Sequence, residues 1–322
     1  MPESLIVKWF DEWHPSLDEA LRTLPEKDNC PHELYRRLAQ NPGPLRKRSA
    51  LVSDGGTPVA VAVLRQRSRM LWEPVTQWIT PGIVFPVRRS DDLMPVLEAL
   101  GIEMDVGWWR MDIPPPESRL MRDRQEAAVH RIRGAEDIEG YWKKTGYWKT
   151  IRNKRNLCRD FKLTINAPGS IEWVVKNWEK KWRTGETEDP TLPDRMLAVT
   201  YLQDLGRHFT FRLEDDGVPV SGLTTMVHDT TLIAQTSYRD SSYNRFGVGI
   251  RLDDYFFMFG KEKGYEFIEI GAGHEYKDKW APQEGTRYSF RICPEHIHRA
   301  KQVVGLARDA KQKVTRWLRD RR

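Results

Sequence analysis

A short pattern occurs twice in this sequence, and the two copies are separated by half the length of the chain. The segment LVSDGGTPVAVAVL begins at Leu51, and RLEDDGVPVSGLTTMV begins at Arg212. Aligning Pro58 with Pro219 gives an offset of 161 residues in a chain of 322. Each copy has the form of a strand, a tight Asp-Gly turn and a second strand. The pattern predicts a duplicated α/β domain, and the alternative is coincidence, because such hairpin turns are common.

The composition agrees with a folded chain of two domains that has an anionic partner. A typical domain has roughly 100 to 200 residues, so 322 residues allow two of them. Hydrophobic residues make up 39% of the chain, which excludes a wholly disordered protein. The net charge of +6 favours a nucleotide, a nucleic acid or an acidic lipid as partner without choosing among them.

The cysteines and histidines give no support to a disulfide framework or a metal site. The three cysteines lie far apart, without paired spacing, at Cys30, Cys158 and Cys293. His274-Glu275 and His296-x-His298 lack a third ligand at a useful spacing, so we expect no metal. The N-terminus has acidic residues where a signal peptide needs an apolar core, and no long apolar run follows. These features predict a cytoplasmic protein without a transmembrane segment.

Hydrophobic periodicity predicts a similar order of elements in both halves. In the first half we expect helices over 33–40 and 91–100 and a hairpin of strands 50–52 and 59–65. In the second half the pattern predicts helices, then three antiparallel strands, a glycine-containing loop, a helix, and two further strands. The predicted ranges of this last series are 209–213, 218–228, 232–238, 250–263, 265–270 and 287–292.

The loop SSYNRFGVG places Gly247 and Gly249 between a predicted strand and a predicted helix. Glycines let the backbone approach a ligand closely, and free amides at a helix N-terminus form a cradle for an anion such as pyrophosphate. Arg245 could add a cation. The alternative is that the two glycines only make a tight turn.

This order of elements resembles the second half of the fold shared by the GNAT superfamily of N-acetyltransferases. In that superfamily the loop reads Gln or Arg, two residues, Gly, one residue, then Gly or Ala. Asn244 stands here where Gln or Arg is expected, and Arg245 comes one place late. The resemblance implies that the loop binds acetyl-CoA or another acyl-CoA through residues Asn244, Arg245, Phe246, Gly247, Val248, Gly249 and Ile250.

A second segment, YEFIEIGAGHEYKDKWAP, resembles acetyltransferases of the CelD cellulose-biosynthesis type, a branch close to the tandem-domain Fem family. Gly273, Tyr276, Lys277 and Trp280 carry the match. The resemblance covers about residues 141–294 and implies an α/β (α+β) fold of tandem GNAT-like domains. Each would be a mixed, largely antiparallel sheet flanked by helices. We expect a degenerate domain over 1–140 and an acyltransferase domain over 141–322, which ends in a basic helix.

Transfer of an acyl group to an amine needs a proton donor for the leaving thiolate and an acceptor for the amine proton. By resemblance, Tyr276 is the candidate general acid; its alternative role is a packed aromatic with a tethered hydroxyl. Glu269 and His228 are the candidate bases, although His228 could simply lie in a turn. Lys277 and Trp280 are expected to contact the acceptor.

The expected function is therefore an acyl-CoA-dependent N-acyltransferase, without a metal. Its acceptor would be an amine-bearing small molecule or polysaccharide precursor, received in the groove between the domains. One alternative is a Fem-like transferase that uses charged tRNA, held by the basic segment 143–162. Another is a non-catalytic protein that keeps the fold and meets a membrane through its basic C-terminal helix. In the basic segment 143–162 and in the C-terminal helix, the charges could instead simply form a solvated helix face.

Overall fold

The computed structural model describes residues 5–27, 30–77, 85–107, 109, 112–182 and 189–303. The first half consists of β1 (Ile6–Phe10), α1 (Pro15–Thr23), α2 (His32–Gln40), β2 (Lys47–Asp54), β3 (Thr57–Gln66), β4 (Leu71–Pro74), α3 (Leu93–Ala99), β5 (Glu103–Val106) and β6 (Met121–Arg133). The second half consists of α4 (Ile138–Lys144), α5 (Trp148–Leu157), β7 (Lys162–Ile165), α6 (Ser170–Trp182), α7 (Leu192–Asp204), β8 (His208–Asp215), β9 (Val218–His228), β10 (Thr231–Arg239), α8 (Val248–Glu262), β11 (Phe267–Ala272) and β12 (Gln283–Ile292). Short 3-10 helices span Ser90–Asp92, Ser241–Tyr243 and Glu275–Lys279, and residues 295–303 are helical.

The two predicted hairpins are confirmed, and they match each other residue by residue. β2 and β3 are bounded by Asp54 and Thr57, and β8 and β9 by Asp215 and Val218, at the same offset of 161. Both hairpins also change register at the same place, after Val52 in one and after Leu213 in the other. Each turn contains a glycine with positive φ, Gly56 at 83° and Gly217 at 80°, which side chains disfavour.

All twelve strands form one sheet, in the order β1-β2-β3-β4-β5-β12-β6-β11-β10-β9-β8-β7. Each half contributes an antiparallel set that ends in a parallel pair, β4 with β5 and β10 with β11. The strand that follows each parallel pair joins the other half. β6 pairs with β11, and β12 pairs with β5. The halves are therefore joined at the centre of the sheet by exchanged strands.

Two hydrophobic cores lie against this sheet, one in each half. In the first, β3 is covered by α1, α2 and α3, and Ala198 and Leu202 of α7 join it. In the second, α8 packs Leu252 and Phe256 against the sheet, and Gly260 lies directly against Ile268 of β11. Because α7 belongs to the second half in sequence but packs into the first core, the two halves share a buried interface.

Buried ion pairs reinforce the contact of α7 with the first half. Asp194 of α7 accepts a hydrogen bond from the Lys47 Nζ at 2.6 Å and lies 3.4 Å from the Arg65 guanidinium. Arg65 is itself buried and pairs with Glu73 at 2.6 Å. Buried charges require such partners, so this network fixes α7 in one position on the first half.

The remaining predicted elements are present with shifted ends. The strand expected over 265–270 is β11, which begins two residues later, because the Tyr265 amide bonds back to the Gly260 carbonyl and closes α8. The basic C-terminal helix is described only as far as residue 303, so most of its expected charged face lies outside the described residues. Within the described part of the chain, no helix combines the length and apolarity needed to cross a bilayer.

Candidate active site

The sheet opens between β10 and β11. These parallel strands pair only from Thr231 to Ile233, opposite Phe267 to Glu269. β10 then shifts register between Ala234 and Thr236, and β11 shifts between Glu269 and Gly271. Register shifts of this kind re-aim a strand and end its pairing. A gap therefore begins directly beyond Ile233 and Glu269, in the middle of the second half.

The N-terminus of α8 lies beside this gap and has no side-chain cap among the described residues. Gly247 adopts the left-handed conformation with φ of 73° and precedes the helix. A side chain at Gly247 would meet Lys154 at 2.6 Å, and one at Gly249 would meet Arg239 at 3.2 Å. Two basic side chains therefore approach these glycines closely, and a side chain at either position would displace one of them. The first amides of α8, its dipole and these cations are together suited to an anion, and they make up the candidate anion site.

The predicted loop residues contribute mainly through their backbone. Asn244 is exposed, and the Arg245 guanidinium stacks on the ring of Phe246 at 4.6 Å. Phe246 packs on Phe161 at 5.4 Å, whereas Val248 is fully buried and Ile250 contacts the same core. These apolar side chains anchor the loop, so the amides rather than the side chains are available to a ligand.

Sequence reasoning missed Lys154 and Arg239 as part of this anion site. Lys154 lies on α5, and its Nζ donates to the Arg245 carbonyl at 3.2 Å. Arg239 ends β10 and lies against Gly249. The only signal in the sequence is that a strand end and a basic helix flank the glycine loop. Only the fold shows that both converge on Gly247 and Gly249.

A group of titratable side chains lies on the side of the gap that faces α8. Asp253 follows Gly249 by four residues, so it lies one turn further along the same helix face. Burial raises the pKa of Asp253 to about 7, against the opposing effect of Lys277 and Arg239. A carboxyl group with this pKa can accept or release a proton near neutral pH. Sequence reasoning missed Asp253, because only the burial of this helix face distinguishes it from a surface carboxylate.

Tyr276 and Lys277 face Asp253 from the short helix after β11. Tyr276 is 51% exposed, and burial of its remaining surface raises its pKa, helped by Asp253. The Lys277 Nζ donates to the Ala272 carbonyl at 2.7 Å, and burial lowers its pKa. Burial also raises the pKa of the neighbouring Tyr147 to about 12, so that phenol stays protonated. The structure thus brings two of the predicted residues, Tyr276 and Lys277, together with Asp253.

Glu269 lies on the other side of Lys277, fully buried in the centre of the sheet. Its Oε1 accepts a hydrogen bond from Arg287 of β12, whereas its Oε2 is buried and has no hydrogen-bond partner among the described residues. Burial raises the pKa of Glu269, although Arg287 and Arg131 oppose this effect. Glu269 is therefore next to the gap, but an ion pair with an exchanged strand already holds it.

His228 lies apart from the other candidates, at the opposite end of the parallel pair. It is at the end of β9, its Nε2 is 3.6 Å from Asp229, and burial lowers its pKa. His228 lines a cavity of about 530 Å³ between the two halves. Thr231 and Phe267 form the wall of this cavity nearest the gap. Each lies two residues before the point at which β10 and β11 separate. The structure does not bring His228 to Tyr276.

Trp280 occupies a core position rather than the acceptor contact that the resemblance implies. Its side chain is fully buried, and its ring stacks on Phe257 at 5.5 Å. The Trp142 Nε1 donates to the Trp280 carbonyl at 3.1 Å. Trp280 therefore anchors the residues that follow β11 to α4 and α8, because apolar surface of this size is stabilised by burial.

The described residues contain no group of three or more His, Cys, Asp or Glu side chains arranged to hold a metal ion. The site is instead built from backbone amides, cations and a few titratable side chains around a gap in a sheet. This arrangement suits an anionic ligand that reaches into the gap.

Comparison with known proteins agrees with this architecture. Residues 148–279 match a family model described as an acetyltransferase (GNAT) domain. No curated protein matches the sequence.

The solved structures share the wider fold at low sequence identity. The C-terminal domain of a putative lysylphosphatidylglycerol synthetase from Agrobacterium fabrum is 14% identical, with 86% of this chain and 92% of that chain covered, at a TM-score of 0.52. The L-PGS of Bacillus licheniformis is 13% identical, with 88% of this chain and 93% of that chain covered, at a TM-score of 0.52. A conserved protein of unknown function from Bacteroides thetaiotaomicron is 13% identical, with 89% of this chain and 100% of that chain covered, at a TM-score of 0.51. Residues 148–279, which include the glycine loop and the open parallel pair, are therefore similar to a GNAT-type acetyltransferase domain.

Proposed function

We propose that this protein is an N-acyltransferase that moves an acyl group from acetyl-CoA, or another acyl-CoA, to an amine. The observation that carries the proposal is the gap between β10 and β11 next to the uncapped N-terminus of α8. A thioester with a long pantetheine arm and a pyrophosphate fits such a gap, because the arm replaces the missing strand pairing and the phosphates reach the amides. The acyltransferase domain would cover 141–322, and residues 1–140 would shape the acceptor site.

The donor pyrophosphate would bind to the amides of Val248, Gly249 and Ile250. Lys154 and Arg239 would neutralise its charge from two sides, since both lie against the glycines of this loop. Charge-assisted hydrogen bonds of this type are stronger than neutral ones, and a cation on each side fixes the position of the phosphates. Asn244 and Arg245 would contribute at the exposed rim.

Proton transfer would take place at the end of the gap that is away from the pyrophosphate. Tyr276 would protonate the leaving thiolate, since its phenol remains protonated and half exposed. Asp253 joins Glu269 and His228 as a candidate acceptor of the amine proton, supported by its raised pKa and its place beside Tyr276. Lys277 would stabilise negative charge that develops in the gap, because it lies between Asp253 and Glu269.

The amine acceptor would enter through the cavity between the halves. This cavity ends at Thr231 and Phe267, two residues, or about 7 Å, before the gap. Its lining mixes aromatic and aliphatic side chains with cations, among them Arg131, whose Nη1 donates to Asp112 at 2.6 Å. Such a lining would accept a polar amine with an apolar portion, such as a small molecule or a polysaccharide precursor. We place this reaction in the cytoplasm.

Calorimetric titration with acetyl-CoA and with CoA tests the donor site. Wild-type protein should bind both saturably, and Arg239→Ala should weaken binding about tenfold, the loss expected for one charge-assisted hydrogen bond. Gly249→Val should weaken it further, because the new side chain both displaces Arg239 and stands between the phosphates and the first amides of α8. Arg159→Ala is the matched control, since Arg159 is exposed and pairs with its neighbour Asp160. Absence of binding to folded wild-type protein would refute the proposal.

A second candidate function is an aminoacyl transferase that uses charged tRNA, like the Fem family. The observation that favours it is the exposed basic surface of α5, with Lys149 and Arg152, next to the anion site at Lys154. The fold shared with two lysylphosphatidylglycerol synthetases is compatible with a donor other than acyl-CoA. Charged tRNA should then bind more tightly than acetyl-CoA, and Lys149→Ala with Arg152→Ala should weaken it selectively. Equal binding of tRNA by this double variant would exclude the candidate.

A non-catalytic protein that keeps this fold is the remaining alternative, and Asn244 in place of the expected Gln or Arg motivates it. Such a protein would bind CoA without turning over any acyl-CoA in the presence of primary amines. Membership of the CelD branch would be consistent with the Gly273, Tyr276 and Lys277 pattern. A screen of amine acceptors with release of free CoA as the signal separates an enzyme from a binding protein.

A further inference from the structure

A buried histidine ties the segment that carries Tyr276 and Lys277 to the sheet. His130 lies on β6, and its side chain is only 3% exposed. Its Nε2 is 2.8 Å from the Asp278 Oδ1, and its Nδ1 is 3.3 Å from the Gly271 carbonyl oxygen. Gly271 precedes Tyr276 and Asp278 follows it. One imidazole ring therefore spans both ends of the segment 271–278.

Both partners of His130 are hydrogen-bond acceptors, because a backbone carbonyl and a carboxylate have no hydrogen to donate. The imidazole ring is therefore the donor in any bond to them. Its shorter contact, 2.8 Å, is the one to Asp278, and the contact to the Gly271 carbonyl measures 3.3 Å.

Other contacts support the same segment without replacing this one. The Tyr141 hydroxyl donates to the Asp278 carbonyl at 2.7 Å, and the Thr145 hydroxyl donates to the Lys279 carbonyl at 3.3 Å. These bonds attach the segment to α4 through its backbone. His130 attaches the Asp278 side chain to the sheet at 2.8 Å, where β11 ends, and Gln283 of β12 adds a longer contact of 3.4 Å to the same carboxylate.

The backbone of the segment has positive φ at three residues. These are Gly271 at 83°, Gly273 at 72° and His274 at 66°. His274 has a side chain, so this conformation carries strain that surrounding contacts must hold. A segment of this kind keeps its shape only while its contacts persist, and this makes the tie to His130 important for the positions of Tyr276 and Lys277.

We propose that His130 is a positioning residue that, paired with Asp278, holds Tyr276 and Lys277 at the gap between β10 and β11. This role rests on the proposed acyltransferase function. The groups that face His130 are the carbonyl of Gly271 from β11, Asp278 from the short helix, and Gln283 from β12, whose Nε2 is 3.4 Å from the Asp278 Oδ1. Lys277 and Lys279 flank Asp278 in sequence.

Amide hydrogen exchange tests the positioning role. Residues 273–280 should exchange faster in Asp278→Asn and His130→Gln than in wild-type protein, while β8 and β9 are unchanged. Asp160→Asn is the matched control, because Asp160 is an exposed carboxylate that pairs only with the adjacent Arg159. Amide exchange over residues 273–280 in Asp160→Asn should equal that of the wild type. Unchanged exchange over 273–280 in both test variants would show that other contacts hold the segment.

Acetyl-CoA experiments separate this proposal from the proposed function. Both test variants should bind acetyl-CoA with wild-type affinity, because the anion site lies at α8, but they should turn over more slowly. Failure of the wild type to bind acetyl-CoA would refute the acyltransferase and leave the exchange results intact. Wild-type turnover in both variants would refute the positioning role alone.

Discussion

The guanidinium of Arg155 on α5 and the carboxylate of Asp254 on α8 form a bidentate ion pair. Nη2 to Oδ1 measures 2.7 Å, and Nε to Oδ2 measures 2.9 Å. Asp254 is fully buried and also accepts a hydrogen bond from Arg251 on its own helix. This pair holds the basic helix beside the N-terminus of α8, and it thereby places Lys154 against Gly247.

Removal of Arg155 should therefore destabilise the fold and weaken the anion site together. Arg155→Ala leaves Asp254 buried with one partner, and we expect a loss of about 2 to 3 kcal/mol in the free energy of unfolding. Chemical denaturation measures this loss, and titration with CoA measures the weaker affinity. Arg152→Ala, three residues earlier and exposed, should leave stability within about 0.5 kcal/mol of the wild type. A stable Arg155→Ala protein would show that Arg251 alone satisfies Asp254.

Asp253 should reduce stability at high pH, because the fold holds it where its charge is disfavoured. Its pKa rises from 3.8 to about 7 in the folded protein. Between these values the folded state binds more protons than the unfolded chain, so the free energy of unfolding falls as the pH rises through this window. Asp253→Asn removes this dependence. It should raise the free energy of unfolding at pH 8 by roughly 1 to 3 kcal/mol, after allowance for solvent screening.

The comparison of Asp253→Asn with wild type at pH 4 is the internal control. At that pH the wild-type carboxyl is neutral in the folded protein and only partly ionised in the unfolded chain, so the two free energies of unfolding should differ by less than about 1 kcal/mol. Turnover of the variant should fall at every pH if Asp253 accepts the amine proton. A variant that gains no stability at pH 8 would show that the carboxylate is well solvated in the folded protein.

Trp280 should matter for stability rather than for acceptor binding. Its ring is fully buried against Phe257 and Trp142, so Trp280→Ala should cost about 3 to 5 kcal/mol in the free energy of unfolding. Trp280→Phe keeps much of this contact and should cost less. Thermal unfolding measures both variants. If Trp280→Phe kept wild-type stability but changed the Michaelis constant for the acceptor, the acceptor contact implied by the resemblance would be correct.

Tyr276→Phe should separate chemistry from donor binding. The change removes only a hydroxyl from a side chain that is half exposed, so the fold should be unaffected. Turnover should fall by about 10² to 10⁴, the contribution typical of a general acid, while CoA affinity stays within about twofold. Tyr288→Phe, which makes the same chemical change on β12, is the control. Wild-type turnover in Tyr276→Phe would remove this residue from the mechanism.

Local chemistry determined the hairpins and the glycine loop. An Asp-Gly turn needs positive φ at its glycine, and the alternating residues around it set the register, so β2 with β3 and β8 with β9 could be predicted with an offset of 161. The same holds for α8, whose start is marked by Gly247 and whose end is marked by Gly264. Such signals depend on residues that are close in the chain.

Only the tertiary structure decided how the two halves join and which side chains surround the glycine loop, because both depend on contacts between distant residues. The exchange of β6 and β12 between the halves depends on pairing between residues that are 134 to 143 positions apart in one case and 184 to 188 in the other, and no local pattern encodes it. The same pairing sets Arg287 beside Glu269. Packing of α5 on α8 sets Lys154 beside Gly247, and the end of β10 sets Arg239 beside Gly249. The sequence by itself determined the glycine loop and predicted that it binds an anion, whereas long-range packing decided which cations and carboxylates surround it, since burial and proximity exist only in the folded chain.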